Sequence, residues 1–229
     1  MAALARRHQL PDEAADGLDA LLDALAAEPD PPTTVADPDR ALDTHLADSL
    51  AGLEVEPLRQ ARTIADLGSG AGFPGLPLAI ALPRARVDLL ESALRKVEVI
   101  RRLSLAAGAG NARAIATRAE DWAGALGADP YAAVTARAVA SLAVLCEYAA
   151  PLLEPGGVLV CWKGARDGAE EKAGAGAARE LGLEPVEVRP VRPFPSARDR
   201  HLHVFTKIGP TPARFPRRAG MAAKRPLGG

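Results

Sequence analysis

The sequence predicts an α/β protein with an open, mostly parallel, seven-stranded sheet whose last strand is antiparallel and whose two faces are covered by helices. Three observations predict it. Short apolar runs alternate with segments of helical period from about residue 62 to residue 207. The stretch Thr63-Ile64-Ala65-Asp66-Leu67-Gly68-Ser69-Gly70-Ala71-Gly72-Phe73-Pro74-Gly75 runs from an apolar strand through a glycine loop into a helix start. The last two strand-like runs, about 184–191 and 201–207, are joined only by Arg192–Arg200. That loop is too short for a helical crossover, so the two must pair antiparallel.

In order along the chain, residues 11–28 carry Leu18, Leu21, Leu22 and Leu25 at helical spacing, with Asp16, Asp19 and Asp23 between them. Pro29-Asp30-Pro31-Pro32 ends that helix. A second helix is expected from Asp37-Pro38, an acidic N-cap followed by proline at the first helical position. It carries Leu42, His45, Leu46, Ser49 and Leu50, and a lone helical histidine such as His45 reads as structural. The first strand spans about 62–67 and its helix about 74–82. Arg86-Val87-Asp88-Leu89-Leu90 is the second strand, ending at Glu91, and a helix over about 93–107 stops at Gly108-Ala109-Gly110. The third strand (about 112–116) leads to a short helix at Ala119-Glu120-Asp121-Trp122, and the fourth (about 132–136) ends at Arg137. A helix over 141–152 stops at the turn Glu154-Pro155-Gly156-Gly157, and the fifth strand is Val158–Lys163. A helix over 167–181 precedes the final hairpin. The organisation expected is a helical extension over 1–60, an α/β domain over 61–208 and a basic tail over 209–229.

Ligands of such sheets sit at the carboxyl ends of the strands, near the switch point beside the first strand. Asp66, Glu91, Glu120, Arg137 and Lys163 all fall at or just beyond predicted strand ends, on one rim.

Composition limits the function classes. With 3 % aromatic residues, stacking platforms for single-stranded nucleic acid are not evident. Cys146 and Cys161 fall in apolar segments and read as core thiols, and no Cys/His cluster has ligand spacing, so no metal is expected. No signal peptide or long apolar span appears, which predicts a soluble cytoplasmic protein without membrane contact; a monomer is expected. Charge is uneven. Residues 1–60 hold thirteen acids and four bases, whereas 207–229 hold six bases (Lys207, Arg214, Arg217, Arg218, Lys224, Arg225) and no acid. A polyanion met through the C-terminal end would suit this distribution, as would a solvated tail.

The glycine loop selects the ligand. Gly70-Ala71-Gly72-Phe73-Pro74-Gly75 matches the dinucleotide pattern, and Glu91 follows Gly70 by 21 residues. A diphosphate, however, needs N–H donors at the helix start, and Pro74 and Pro77 remove two. Asp66 places a carboxylate in the mouth of the loop, which would repel a diphosphate but suits an ammonium group. S-adenosyl-L-methionine carries an ammonium and a sulfonium and no phosphate, so it is favoured over a dinucleotide. Glu91 would accept the ribose hydroxyls.

Asp66-Leu-Gly-Ser-Gly-Ala-Gly-Phe-Pro-Gly-Leu-Pro-Leu resembles the cofactor loop of the glucose-inhibited division protein B family of small-subunit rRNA guanine-N7 methyltransferases. Further stretches are similar to the same family: His45-Leu-Ala-Asp-Ser-Leu50, Thr135-Ala-Arg-Ala-Val-Ala-Ser-Leu142, Trp162-Lys163-Gly164, and Pro212-Ala-Arg-Phe-Pro-Arg-Arg-Ala-Gly220 followed by Lys224-Arg225-Pro226-Leu227. The resemblance runs from about residue 33 to the C-terminus. Two departures stand out: Pro32-Thr33-Thr34-Val35 replaces an Asn-Leu-Thr-Ala-like stretch, and Glu91 replaces an aspartate.

The resemblance implies a Rossmann-like class I methyltransferase with Gly68, Phe73, Ala119, Glu120 and Arg137 lining the S-adenosyl-L-methionine site, beside Asp66, Gly70 and Glu91 from the loop reading above. It implies 16S ribosomal RNA, or a small-subunit precursor, as substrate, with guanine 527 as the family target. Guanine N7 has an in-plane lone pair and no proton to lose, so in-line transfer needs positioning and no general base. Arg137, Lys163 and Arg200, with Arg198 beside them, are candidates to hold phosphates or guanine O6. Two other readings stay open: a class I methyltransferase for another RNA or a small molecule, and a non-catalytic cofactor- or RNA-binding module.

Overall fold

The computed structural model describes residues 1–33, 35, 38–124 and 130–228, with the backbone alone for Pro38 and Asp39. The expected N-cap Asp37 lies outside the described residues. The N-terminal part begins with helices α1 (Ala2–His8) and α2 (Ala14–Ala27). It continues with α3 (Pro38–Ala41), a π-helical turn at Leu42–Ala47, and α4 (Asp48–Leu50). A 3₁₀ turn at Ala51–Glu54 and helix α5 (Glu56–Gln60) complete it. The α/β part runs β1 (Thr63–Leu67), α6 (Gly75–Ala81), β2 (Arg86–Glu91), α7 (Leu94–Ala106), β3 (Ala112–Ala116) and α8 (Ala119–Ala123). It goes on through β4 (Tyr131–Arg137), α9 (Leu142–Ala149), β5 (Leu153–Lys163), α10 (Gly168–Glu180), β6 (Leu183–Pro190) and β7 (His201–Lys207), and α11 (Met221–Lys224) follows.

The strand order is β3-β2-β1-β4-β5-β7-β6. β7 is antiparallel to both neighbours, and the pairs from β3 to β5 are parallel. The order reverses between β1 and β4, which places the ligand crevice there.

Alternation along the strands builds one core on each face. Val158, Val160 and Trp162 of β5 join Ile64, Leu18, Leu21, Leu46 and Leu50 on the first face. Leu159 and Cys161 join Leu67, Val134, Leu145, Cys146 and Phe205 on the second. The N-terminal helices thus share a core with β1. Both cysteines are free, and burial pushes their thiols up.

One boundary differs from expectation. The predicted turn Glu154–Gly157 lies inside β5, which pairs with β4 from Leu153 onward across a register shift. Gly156 takes φ 82°, and a Cβ on Gly157 would lie 3.0 Å from the carbonyl oxygens of Glu154 and Tyr131. Gly156 supplies the positive φ and Gly157 the room beside the backbone that let the strand bulge.

Candidate active site

The loop after β1 turns on Gly68 and Gly70, both at φ 60°, and Gly72 at φ 94°. Its backbone donors are almost all engaged within the chain. Gly68 and Ser69 N–H donate to the Leu90 carbonyl (2.8 and 3.3 Å), and Gly72 and Phe73 N–H to that of Ser69 (2.7 and 3.0 Å). Gly70 N–H donates to Glu91 Oε2 at 3.1 Å and Gly75 N–H to Asp66 Oδ2 at 3.1 Å. Leu76 N–H donates to the Gly72 carbonyl at 2.7 Å, and Pro74 has no N–H. A diphosphate needs free donors, and this loop has already given them to its own carboxylates and carbonyls.

Asp66 requires a correction. Its carboxylate is fully buried beneath the loop, not in its mouth. Oδ2 takes Gly75 N–H, and Oδ1 accepts from Thr135 Oγ1 at 2.8 Å. Asp66 therefore shapes the loop from below and presents no oxygen to a ligand ammonium. Burial pushes its carboxyl up to about 6, against the hydrogen bonds from its neighbours. A carboxyl raised on folding contributes stability that is full below its unfolded value near 3.8 and is lost as pH climbs through 6. Asp66→Asn keeps the shape without the charge. Between pH 4 and pH 7 the wild type should therefore lose on the order of 2–3 kcal/mol relative to the variant. Urea titrations of both proteins across that window check this, and parallel pH curves would refute it.

Two cavities open on the rim. The smaller, about 160 Å³, is lined by Gly68, Leu90, Glu91, Ala119, Glu120 and Val139 among others. Glu91 Oε1 also accepts from Ala93 N–H at 2.9 Å, so its carboxylate is fixed toward the loop. A Cβ on Gly68 would lie 2.9 Å from Val139 Cγ2, so only glycine keeps this wall open. Two carboxylates and a donor-poor glycine wall suit a ligand of ribose hydroxyls and positive charge. S-adenosyl-L-methionine fits that donor set: Glu91 would hold the ribose, and Ala119 and Glu120 the adenine end.

The larger cavity, about 380 Å³, is lined by Thr44, His45, Asp48, Arg137, Lys163 and Arg200, with Trp162 at its back. Arg137, at the end of β4, donates from Nη1 to the Thr44 carbonyl and to Asp48 Oδ2, both at 3.0 Å. Lys163 Nζ pairs with Glu170 Oε1 at 2.6 Å. Arg198, grouped with Arg200 from the sequence, bonds the carbonyls of Pro195 and Ala197 and lines neither cavity. The segment Arg137–Val139 forms the partition: Arg137 and Ala138 line the larger cavity and Val139 the smaller.

Of two residues expected at the cofactor, Arg137 lines the larger cavity and Phe73 lines neither. The Phe73 ring stacks on His45 (centroids 4.5 Å apart, 13° between planes) beneath the Arg137 guanidinium. His45, expected to be structural, stands in the cavity wall. Its Nε2 lies 2.9 Å from Thr33 Oγ1 and 3.2 Å from the Val35 carbonyl, and its Nδ1 3.5 Å from Arg137 Nη2. Burial and the nearby Arg137 lower the imidazole to about 4, so it is neutral at pH 7. Thr33, one of the departures noted above, supplies a hydroxyl to this ring. Asp48 was missed as a site residue. Its signal was its place three residues after His45, one helical turn along the same face. It lies at the end of the π-helical turn, a feature often found at functional sites.

The basic tail is docked, not free. Phe215 is buried in the second core. Arg217 donates to Glu147 Oε1 from Nε at 2.8 Å, and Arg214 pairs with Glu180 at 2.9 Å. Lys207 Nζ donates to the Leu181 carbonyl at 3.0 Å, and burial lowers that amine to about 8. Gly220 N–H donates to Glu120 Oε1 at 2.9 Å, so the tail touches the smaller cavity's wall from behind. Arg218, Lys224 and Arg225 remain exposed. No group of three or more His, Cys, Asp or Glu suited to a metal occurs among the described residues, nor a helix long and apolar enough to cross a membrane.

Fold and site together define a class I S-adenosyl-L-methionine-dependent methyltransferase. Structures of similar fold include the S-adenosylmethionine-dependent methyltransferase SibL (TM-score 0.60, 16 % identity, covering 86 % of this chain and 70 % of that one). Residues 33–202 match the model of the family described as rRNA small subunit methyltransferase G, to which the chain belongs. Ribosomal RNA small subunit methyltransferase G of Rubrobacter xylanophilus is 42 % identical, covering 84 % of this chain and 76 % of that relative. The Deinococcus radiodurans protein of the same name is also 42 % identical, covering 80 % and 73 %.

Proposed function

We propose that this methyltransferase transfers a methyl group to N7 of a guanine in 16S ribosomal RNA, the family's guanine 527, acting as a cytoplasmic monomer on the small subunit or its precursor. The observation that carries the reading is the pair of cavities divided by Arg137–Val139: one suited to the donor, the other cationic and sized for a base. The cofactor supplies the methyl group as part of a sulfonium.

The chain's own residues supply position. Arg137 is clamped by Thr44 and Asp48 at the partition, where it can fix a purine's orientation. Lys163 and Arg200 line the same cavity, where phosphates or guanine O6 would be held. The nearby His45 is no base, since both ring nitrogens face partners. That agrees with an acceptor atom that has a lone pair and no proton. Guanine N7 lies in the deep major groove of an RNA helix, so the target must be in an opened or irregular region. Arg218, Lys224 and Arg225 are the exposed bases left to meet phosphates.

Mapping N7-methylguanosine in small-subunit rRNA from cells with and without the gene tests this. Loss of one modification on deletion, restored by the purified protein with labelled cofactor, is the expected result. Unchanged rRNA together with transfer to a small-molecule pool would overturn it.

A further inference from the structure

Asp48 is the single acidic side chain among the described residues lining the larger cavity. Its two oxygens are treated differently. Oδ2 accepts from Arg137, whereas Oδ1 is buried and has no hydrogen-bond partner. Facing it is Arg200, whose Nε lies 3.8 Å away and also lacks a hydrogen-bond partner. An acceptor and a donor thus face each other across a gap that neither closes. Buried polar groups are nearly always paired, so an unmade pair in a cavity wall points to a ligand. The two differ in freedom. Arg200 has 41 % of its side chain exposed and ends the β6–β7 loop. Asp48 is held by Arg137 and by Trp162 Nε1, which donates to its carbonyl at 2.8 Å.

Adenine and guanine both offer N7, so chemistry at N7 cannot choose between them. The usual arginine fork on O6 and N7 would block the reacting atom. Besides O6, selection can use the opposite edge, where guanine presents N1–H and N2–H donors and adenine presents a bare N1. We propose that Asp48 Oδ1 reads that edge, accepting from N1–H and N2–H when Arg200 moves off it onto O6 or a phosphate. This rests on the guanine-N7 reading above. Adenine would set a lone pair against the carboxylate and be rejected.

The test uses small subunits assembled on ligated 16S rRNA carrying guanosine or inosine at the target. Inosine keeps N7, O6 and N1–H and lacks only the 2-amino group. The wild type should prefer guanosine by about tenfold in kcat/KM, the loss of one hydrogen bond to a charged acceptor. Asp48→Ala, and Asp48→Asn, which keeps an oxygen for Arg137, should lower transfer to guanosine and bring the ratio close to one. Circular dichroism and calorimetric cofactor affinity should stay as in the wild type. If the alanine variant fails to fold, the asparagine variant alone decides. Variants that retain the wild-type ratio, or a wild type without preference, would overturn the role of Asp48 while leaving the rRNA reading intact. A wild type inactive on both RNAs would overturn both.

Discussion

Arg137→Ala is expected to lower methyl transfer to rRNA by roughly 10²–10³-fold, the range typical for loss of one preorganised charged donor at a reaction centre. Three contacts define what is lost. Nη1 bridges the Thr44 carbonyl and Asp48 Oδ2, and the guanidinium lies 5.7 Å from the Phe73 ring centroid. Removing the side chain takes away the group at the partition and leaves the buried Asp48 carboxylate facing the more distant Arg200. Arg137→Lys retains a charge without the planar fork, so it should recover only part of the rate. Single-turnover transfer of labelled methyl, beside circular dichroism and cofactor affinity, separates lost chemistry from lost fold. A folded alanine variant with the wild-type rate would remove Arg137 from the site.

Arg217→Ala should destabilise the protein by about 3–5 kcal/mol, the cost of leaving a buried charge without its partner. Glu147 is 1 % exposed, and Arg217 meets both its oxygens. Adding Glu147→Gln to the variant neutralises the stranded carboxylate, so the double variant should recover part of the loss. Because Gly220 N–H holds Glu120, loosening the tail should also weaken cofactor binding. Urea unfolding and calorimetry with S-adenosyl-L-methionine measure the two effects. In contrast, neutralising the exposed Arg218, Lys224 and Arg225 should leave stability unchanged and flatten the salt dependence of RNA binding. If Arg217→Ala changes only RNA affinity, the tail is an arm and not a buttress.

The sheet was legible because its signals are local. Alternation set each strand, glycines set the turns, and a short loop forced the final hairpin antiparallel. The bulge in β5 was not legible, since Gly156-Gly157 reads equally as a turn. Within the site, Glu91 and Glu120 were read from strand ends and Ala119 from the family resemblance, and the three line one cavity. Phe73 packs on His45 and lines neither cavity, which position in a loop does not show, because it does not say which way a ring turns. The tail's basic run looked free because its acidic partners, Glu147 and Glu180, lie far away in the sequence.

The sequence by itself determined the sheet, the donor-poor glycine loop, and the acids and bases on its rim. These follow from backbone geometry and spacing over a few residues. Only the tertiary structure decided that Asp66 lies beneath the loop and that the tail braces Glu120. It also brought His45 and Asp48 beside Arg137, some 90 residues on. Periodicity specifies that a face is buried, but not what it is buried against; that depends on how the N-terminal helices and the sheet pack, and there the larger cavity is made.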